Sequence, residues 1–298
     1  MKTDYEPELI AQIFGGNEQT LLACALDVQE KYNFGGIELN MWCPSPKIMK
    51  CEAGSGMLKN KKKTLGIINH LAMSLNIPFS LKTRCGLTQD DIEAQFEFLL
   101  EASASVRMII VHGRTYSQSH SGEVNRDFIY RLKEHLPNKV IIGNGGVRSY
   151  HDAQHRLQTL DGIMIAQSAI WNPRILTPHQ PTNEEKIAVI LRHLNLAMAC
   201  EYRFEQAVQT MNSAFQMPTL AELNALANDI DTGNLKTDAT RYTPREMRKF
   251  LFTYITGLPD SKTLKQQIIT TKTYDDVRSM LLHYFDTLPD TSSLITAE

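Results

Sequence analysis

The chain has 298 residues, 42% of them hydrophobic and 21% charged, with a formal net charge of −2. That balance describes a globular chain long enough for one large domain and a smaller one, with no apolar run near the roughly 18 residues of a membrane span. It excludes a blanket of positive potential, so any nucleic-acid binding must rest on a local patch. The five cysteines, Cys24, Cys43, Cys51, Cys85 and Cys200, are an odd set without a CxxC pair. They suggest neither a disulfide framework nor a zinc ribbon; no metal is expected, and a reducing cytoplasm is the expected location. The opening MKTDYEPELIAQ lacks the progression of a signal peptide.

Short apolar runs at Leu9–Phe14, Gly36–Leu39, Pro78–Leu81, Met108–Val111, Val140–Ile142 and Gly162–Ile165 read as strands. Amphipathic stretches at Glu18–Tyr32, Met57–Leu75, Gln89–Ala102, Arg126–Leu136 and Tyr150–Gln158 read as helices between them. Strand and helix alternating at this regularity predict a parallel α/β sheet. Polar residues gather just after the strands: Gln12, Asn40 with Cys43, Lys82 with Arg84, His112, Asn144 with two glycines, and Gln167. In a (β/α) barrel that end is the active face. The glycine-rich Asn144-Gly145-Gly146 and the small Ala166-Gln167-Ser168 let backbone N–H groups approach an anion, so a phosphorylated ligand is expected at the last two units.

From about Thr182 the pattern becomes helical only, with periodic apolar faces in Glu184–Arg203, Pro218–Ala227 and Pro244–Ile255. Pro178 and Pro181 mark the linker, which divides the chain into 1–180 and 181–298. Positive charge concentrates at Arg241, Arg245, Arg248, Lys249, Lys262, Lys265 and Lys272. Such a run is usually a solvated face, but a local cluster of this kind also suits RNA phosphates.

The stretch Gly35 to Leu58, GGIELNMWCPSPKIMKCEAGSGML, runs from a buried strand through Asn40, Trp42, Cys43 and Pro44 to a Gly-Ser-Gly turn. Its NMWCPSPKIMKCEAGSGML, with SLKTRCG, VHGRTYSQSHSG, IIGNGGV, GIMIAQSAIWNP and REMRKFLFTYITGLPDSKTLKQQI, resembles the tRNA-dihydrouridine synthases in motif order and spacing. The resemblance implies a (β/α)8 TIM-type barrel followed by a small all-α, tRNA-binding domain. It also implies an FMN- and NADPH-dependent oxidoreductase that reduces uridine to 5,6-dihydrouridine in tRNA. A monomer is expected, with tRNA as partner and no membrane attachment.

By the same resemblance Cys43 is the proton donor, a role that suits a thiol because it is mostly protonated at neutral pH. Asn40 and Arg84 are implied at the polar edge of the uracil, with His120 on the substrate side. Gln12, Lys82 and His112 are implied at the flavin ring. Asn144, Gly145, Gly146, Ala166 and Gln167 are implied around the ribityl phosphate, and Arg245, Arg248 and Lys249 at RNA. The chain departs from the family pattern at Trp42, where glycine is usual, at Gly146 in place of an acid, at Gln167 in place of arginine, and at His120 in place of tyrosine. It also enters at the family's third strand, so six of eight strands are seen and weak FMN binding is expected. Two alternatives stand beside this reading: an FMN-barrel reductase of a free small molecule, and an RNA-binding fragment without catalysis.

Overall fold

In the computed structural model, which describes residues 9–179, 181–209, 218–235 and 243–289, all six expected strand segments form one parallel sheet in the order β1-β2-β3-β4-β5-β6. The strands are β1 (Ile10–Ile13), β2 (Gly36–Met41), β3 (Phe79–Arg84), β4 (Met108–His112), β5 (Val140–Asn144) and β6 (Gly162–Met164). Between them run α1 (Glu18–Lys31), α2 (Pro46–Lys50), α3 (Lys61–Ser74), α4 (Ile92–Ala102), α5 (Arg126–His135) and α6 (Tyr150–Leu157). Each strand pairs in parallel with its sequence neighbour. This is the strand-helix repeat of a TIM-type barrel.

Alternation along each strand sorts side chains onto two faces. Ile37, Leu39 and Met41 of β2 join Leu81 of β3, Ile109 and Val111 of β4 and Ile141 of β5 in a core shared with Leu21, Ile68, Leu71, Leu99 and Phe128 of the helices. The opposite face carries the polar residues. Helix starts are fixed locally: the side chains of Asn17, Asn60, Asn125 and Ser149 each accept a backbone N–H from the first turn they cap. The Asn60 cap accounts for one difference from the sequence reading. The stretch expected to be a single helix from Met57 is a 3-10 segment, Gly54–Lys59, followed by α3.

The chain divides into two compact units, Met1–Ala166 and Gln167–Glu298. The second contains α7 (Gln167–Trp171), α8 (Asn183–Gln209), α9 (Leu220–Asp231), α10 (Thr243–Tyr254), α11 (Ser261–Thr270) and α12 (Tyr274–Thr287). Its own core joins Leu194 and Met198 of α8 to Ile230, Leu251, Ile268, Val277 and Leu281. A reciprocal capping box between Thr219 and Glu222 starts α9 two residues after Pro218. No helix among the described residues is long and apolar enough to cross a membrane.

Candidate active site at the carboxyl ends of β2 to β5

Strand register stacks the polar face in tiers. Gln12 lies beside Glu38, Asn40 beside Lys82, and Arg84 beside His112, which in turn lies beside Asn144. Glu38 is the functional candidate that the sequence reading passed over, because it is embedded in an otherwise apolar strand. Its position two residues before Asn40 was the available signal, since period-two alternation puts both on one face.

Lys82 is 2% exposed, and its Nζ donates to Asn144 Oδ1 at 3.0 Å. Asn144 in turn donates through Nδ2 to the Met164 carbonyl at 2.8 Å, which fixes its amide with the oxygen toward the lysine. Burial pushes the Lys82 ammonium down to about 7; the Glu38 carboxylate opposes that drop and Arg84 adds to it. Burial also raises Glu38 above the usual carboxylate range, against the hydrogen bond from Gln12 and the charge of Lys82.

A chain of oriented amides links Glu38 to the cysteine. Gln12 Nε2 donates to Glu38, Asn40 Nδ2 donates to Gln12 Oε1 at 2.8 Å, and Asn40 Oδ1 accepts from the backbone N–H groups of Trp42 and Cys43 at 3.1 Å each. A carboxylate can only accept from an amide, so its end of the chain sets the direction of the rest. Both ends of the Gln12 side chain are engaged this way. Cys43 is held from the other side as well, where its carbonyl accepts from Ser55 N at 3.2 Å. Gly54, at φ +56°, approaches so closely that a Cβ there would stand 2.9 Å from Cys43 Cβ. Cys43 itself is a half-buried free thiol.

Arg84 is not the solvated arginine that its position after a strand suggests; it is fully buried. Nε donates to the Trp42 carbonyl at 2.9 Å, and Nη1 donates to the Thr115 and Ser119 carbonyls at 2.9 and 3.0 Å. The guanidinium thus ties the cysteine loop to the loop after β4, and Nη2 is left buried without a partner among the described residues. His112 is held near a pKa of about 3 by burial and by the positive charges of Lys82, Arg84 and Arg114, so it is neutral at physiological pH. Its Nδ1 lies 3.3 Å from the Arg114 backbone N–H and accepts from it. The remaining proton therefore sits on Nε2, which becomes a donor. The ring stacks with Trp42 at 6.4 Å and meets His120 edge-on at 6.4 Å. The Trp42 indole also covers Lys82 Nζ, 4.7 Å from the ring centroid. Gly145 and Gly146 have φ of +116° and +68°, and a Cβ on Gly145 would lie 3.2 Å from His112 Nε2. The glycine loop therefore passes directly beside the imidazole.

A family profile described as Dihydrouridine synthase (Dus) matches residues 1–232. The chain belongs to the dihydrouridine synthase family. It is 30% identical over 179 residues to a tRNA-dihydrouridine(20/20a) synthase of Xylella fastidiosa (strain Temecula1), covering 56% of this chain and 54% of the relative. Proteins of the same name from Xanthomonas axonopodis pv. citri (strain 306) and Escherichia coli (strain K12) are each 28% identical, over 177 and 182 residues. Those matches cover 56% and 57% of this chain and 53% of each relative. The chain thus spans about half the length of the curated relatives it matches. Within this family the six-stranded parallel sheet is a partial TIM-type barrel, followed by a helical region.

Other expected site residues of this dihydrouridine synthase family member belong to the end of the first unit and to the second unit. Ala166 is an exposed residue at the end of the first unit, and Gln167 begins α7 in the second. On α10, Arg245 and Lys249 are exposed, with Lys249 Nζ 5.0 Å over the Phe250 ring. Arg248 is half-buried and donates to the Thr271 carbonyl at 2.7 Å, so part of its guanidinium serves packing within the helical unit. Arg241 lies outside the described residues. Among those described, no group of three or more His, Cys, Asp or Glu could hold a metal ion.

Proposed function

We propose that this chain reduces uridine to 5,6-dihydrouridine in tRNA, with FMN as cofactor and NADPH as the source of reducing equivalents. The observation that carries the reading is the Cys43 thiol, fixed by the Asn40 amide and the Gly54 approach on the same sheet end as the buried Lys82–Asn144 pair and His112. The same donors suit a flavin. Its ring edge presents carbonyl oxygens and nitrogens, and this sheet end offers a buried lysine, a neutral imidazole with Nε2–H, and an indole face. FMN, when bound and reduced, supplies the hydride for one carbon of the uracil C5–C6 bond.

The chain's own residues do the rest. Cys43 Sγ gives its proton to the other carbon and is reprotonated from solvent, so two electrons and two hydrogens are added in all. Lys82 and His112 place hydrogen-bond donors where negative charge accumulates on the cofactor side, and that charge favours the protonated lysine. Asn40 and Arg84 are assigned to the substrate's carbonyl edge, Arg84 by fixing the loops around it, and His120 to the same side. Arg245 and Lys249 are exposed cations for the RNA phosphates, with Arg248 acting largely through α10 packing.

The test is Cys43→Ala in the flavin-loaded protein. Dihydrouridine formation should fall by roughly 10²-fold or more while NADPH oxidation and bound flavin persist, the scale of a lost general acid. Product formed at the parent rate would remove Cys43 from the reaction.

A further inference from the structure

Arg114, Arg126, Arg148 and Arg156 line one open basin between the loop after β4 and the loop after β5, where Glu123 and Asp152 are the acids of the wall. Four cations against two carboxylates leave an excess of two positive charges there, on a chain whose net charge is −2. Both oxygens of Asp152 are engaged, one by Arg156 Nε at 2.5 Å and the other by the backbone N–H of Arg148 at 2.9 Å. Among the described residues that is the one ion pair in the group.

Two of the guanidiniums converge. Arg114 Nη2 and Arg156 Nη1 lie 3.7 and 3.5 Å from the position a Cβ would take on Gly146, so a side chain there would fill the space between them. Each is anchored by a carbonyl, Arg114 Nε on Gly122 at 2.9 Å and Arg156 Nη1 on Gly145 at 3.0 Å. Arg126 and Arg148 are exposed at the rim. Burial, then the charges of Arg156 and Arg148, lower the affinity of Arg114 for its proton, as expected of like charges held together. Such a grouping is unfavourable by itself and is relieved by an anion; planar guanidinium forks match phosphate oxygens.

We propose that this basin grips backbone phosphates of the RNA strand next to the target uridine, an assignment that rests on the tRNA reading of the active site. Its place favours a strand over a single phosphate group. Gly145, whose carbonyl holds Arg156, lies against His112, so the basin adjoins the sheet end to which a uridine must be turned out. Four guanidiniums spread from half-buried to exposed can follow successive phosphates, whereas one phosphate occupies one or two of them.

The experiment uses the full chain and an unmodified tRNA transcript, with binding followed by fluorescence anisotropy over a series of salt concentrations. Arg126→Gln with Arg148→Gln changes exposed side chains that make no ion pair among the described residues, so the fold should persist. We expect tRNA affinity to fall about tenfold, and the slope of log K against log salt to shrink by about 0.7 to 0.9 per lost phosphate contact. FMN and NADPH affinity should stay at the parent values, and Arg126→Lys with Arg148→Lys should retain most of the slope. A parent-like slope in the glutamine variant overturns the basin while leaving the functional reading standing. Loss of FMN or NADPH affinity in place of tRNA affinity overturns it as well, by making the basin a nucleotide phosphate site. If the parent chain shows no salt-dependent tRNA binding, the functional reading and the basin fall together.

Discussion

Lys82 and Glu38 share one buried tier system, and each side chain's ionisation depends on the other's charge. The lysine drops from an ordinary value of 10.5 to about 7 on folding, with burial as the main cause. Between those two values the unfolded chain holds a proton that the folded chain has released. Stability should therefore rise as pH climbs from about 7 to about 10.5 and lose this dependence below the lower value. Lys82→Met removes the rise and, by removing a neighbouring positive charge, pushes the Glu38 carboxyl further up. Urea midpoints for the two proteins across that range should converge in slope only at neutral pH and below. If both proteins show the same pH dependence above pH 7, Lys82 is not titrating in the window its burial sets.

The stretch between β2 and α3 illustrates how an element is held by close approach. Gly54 takes a left-handed φ of +56° and stands against Cys43, with a virtual Cβ also 3.1 Å from Ile48 Cγ2. Gly122 takes a similar φ of +74°, but its Cβ would meet only the end of the Gln118 side chain, at 3.1 Å. Gly122→Ala should cost about 1 kcal/mol for the backbone conformation alone. Gly54→Ala adds the collision and should cost at least about 1 kcal/mol more, within the range for overdetermined strained positions. Equal losses in urea titrations would mean that the cysteine loop simply shifts.

This is also where the legibility of the sequence divides. The six strands are readable because branched apolar runs and turns alternate locally, whereas the contacts of Trp42 with Lys82 and His112, and of His112 with His120, come from the fold. The helices α11 and α12 are less legible, since Lys262 and Lys265 within the first and Lys272 just before the second interrupt the apolar pattern with charge. Leu264 with Ile268, and Val277 with Leu281 and Phe285, carry the buried spacing. The burial of Arg84 was not readable, because its carbonyl partners Trp42, Thr115 and Ser119 lie 31 to 42 positions away. The arginine basin is not legible in sequence for the same reason: its members come from the loop after β4, the start of α5, the loop after β5 and α6.

At the scale of the whole sheet, β1 and β6 are the two edges, each paired on one side only among the described residues. Edge strands present unpaired N–H and C=O groups that can template pairing with another chain. The β6 edge is short, three residues, and limits such pairing. The β1 edge is followed by Phe14 at 60% exposure and carries Ile10 at 47%, which adds apolar surface to the open backbone. A net charge of only −2 supplies little repulsion between copies. The purified 298-residue chain should therefore associate as its concentration rises through the micromolar range, where exposed edges begin to find one another. Ile10→Lys places a charge on that edge without touching the amide chain from Glu38 to Cys43, and should move the sedimentation profile toward the monomer. A parent chain that sediments as a monomer across the range would show that the β1 edge is protected. Association unchanged by Ile10→Lys would locate the contact on another surface.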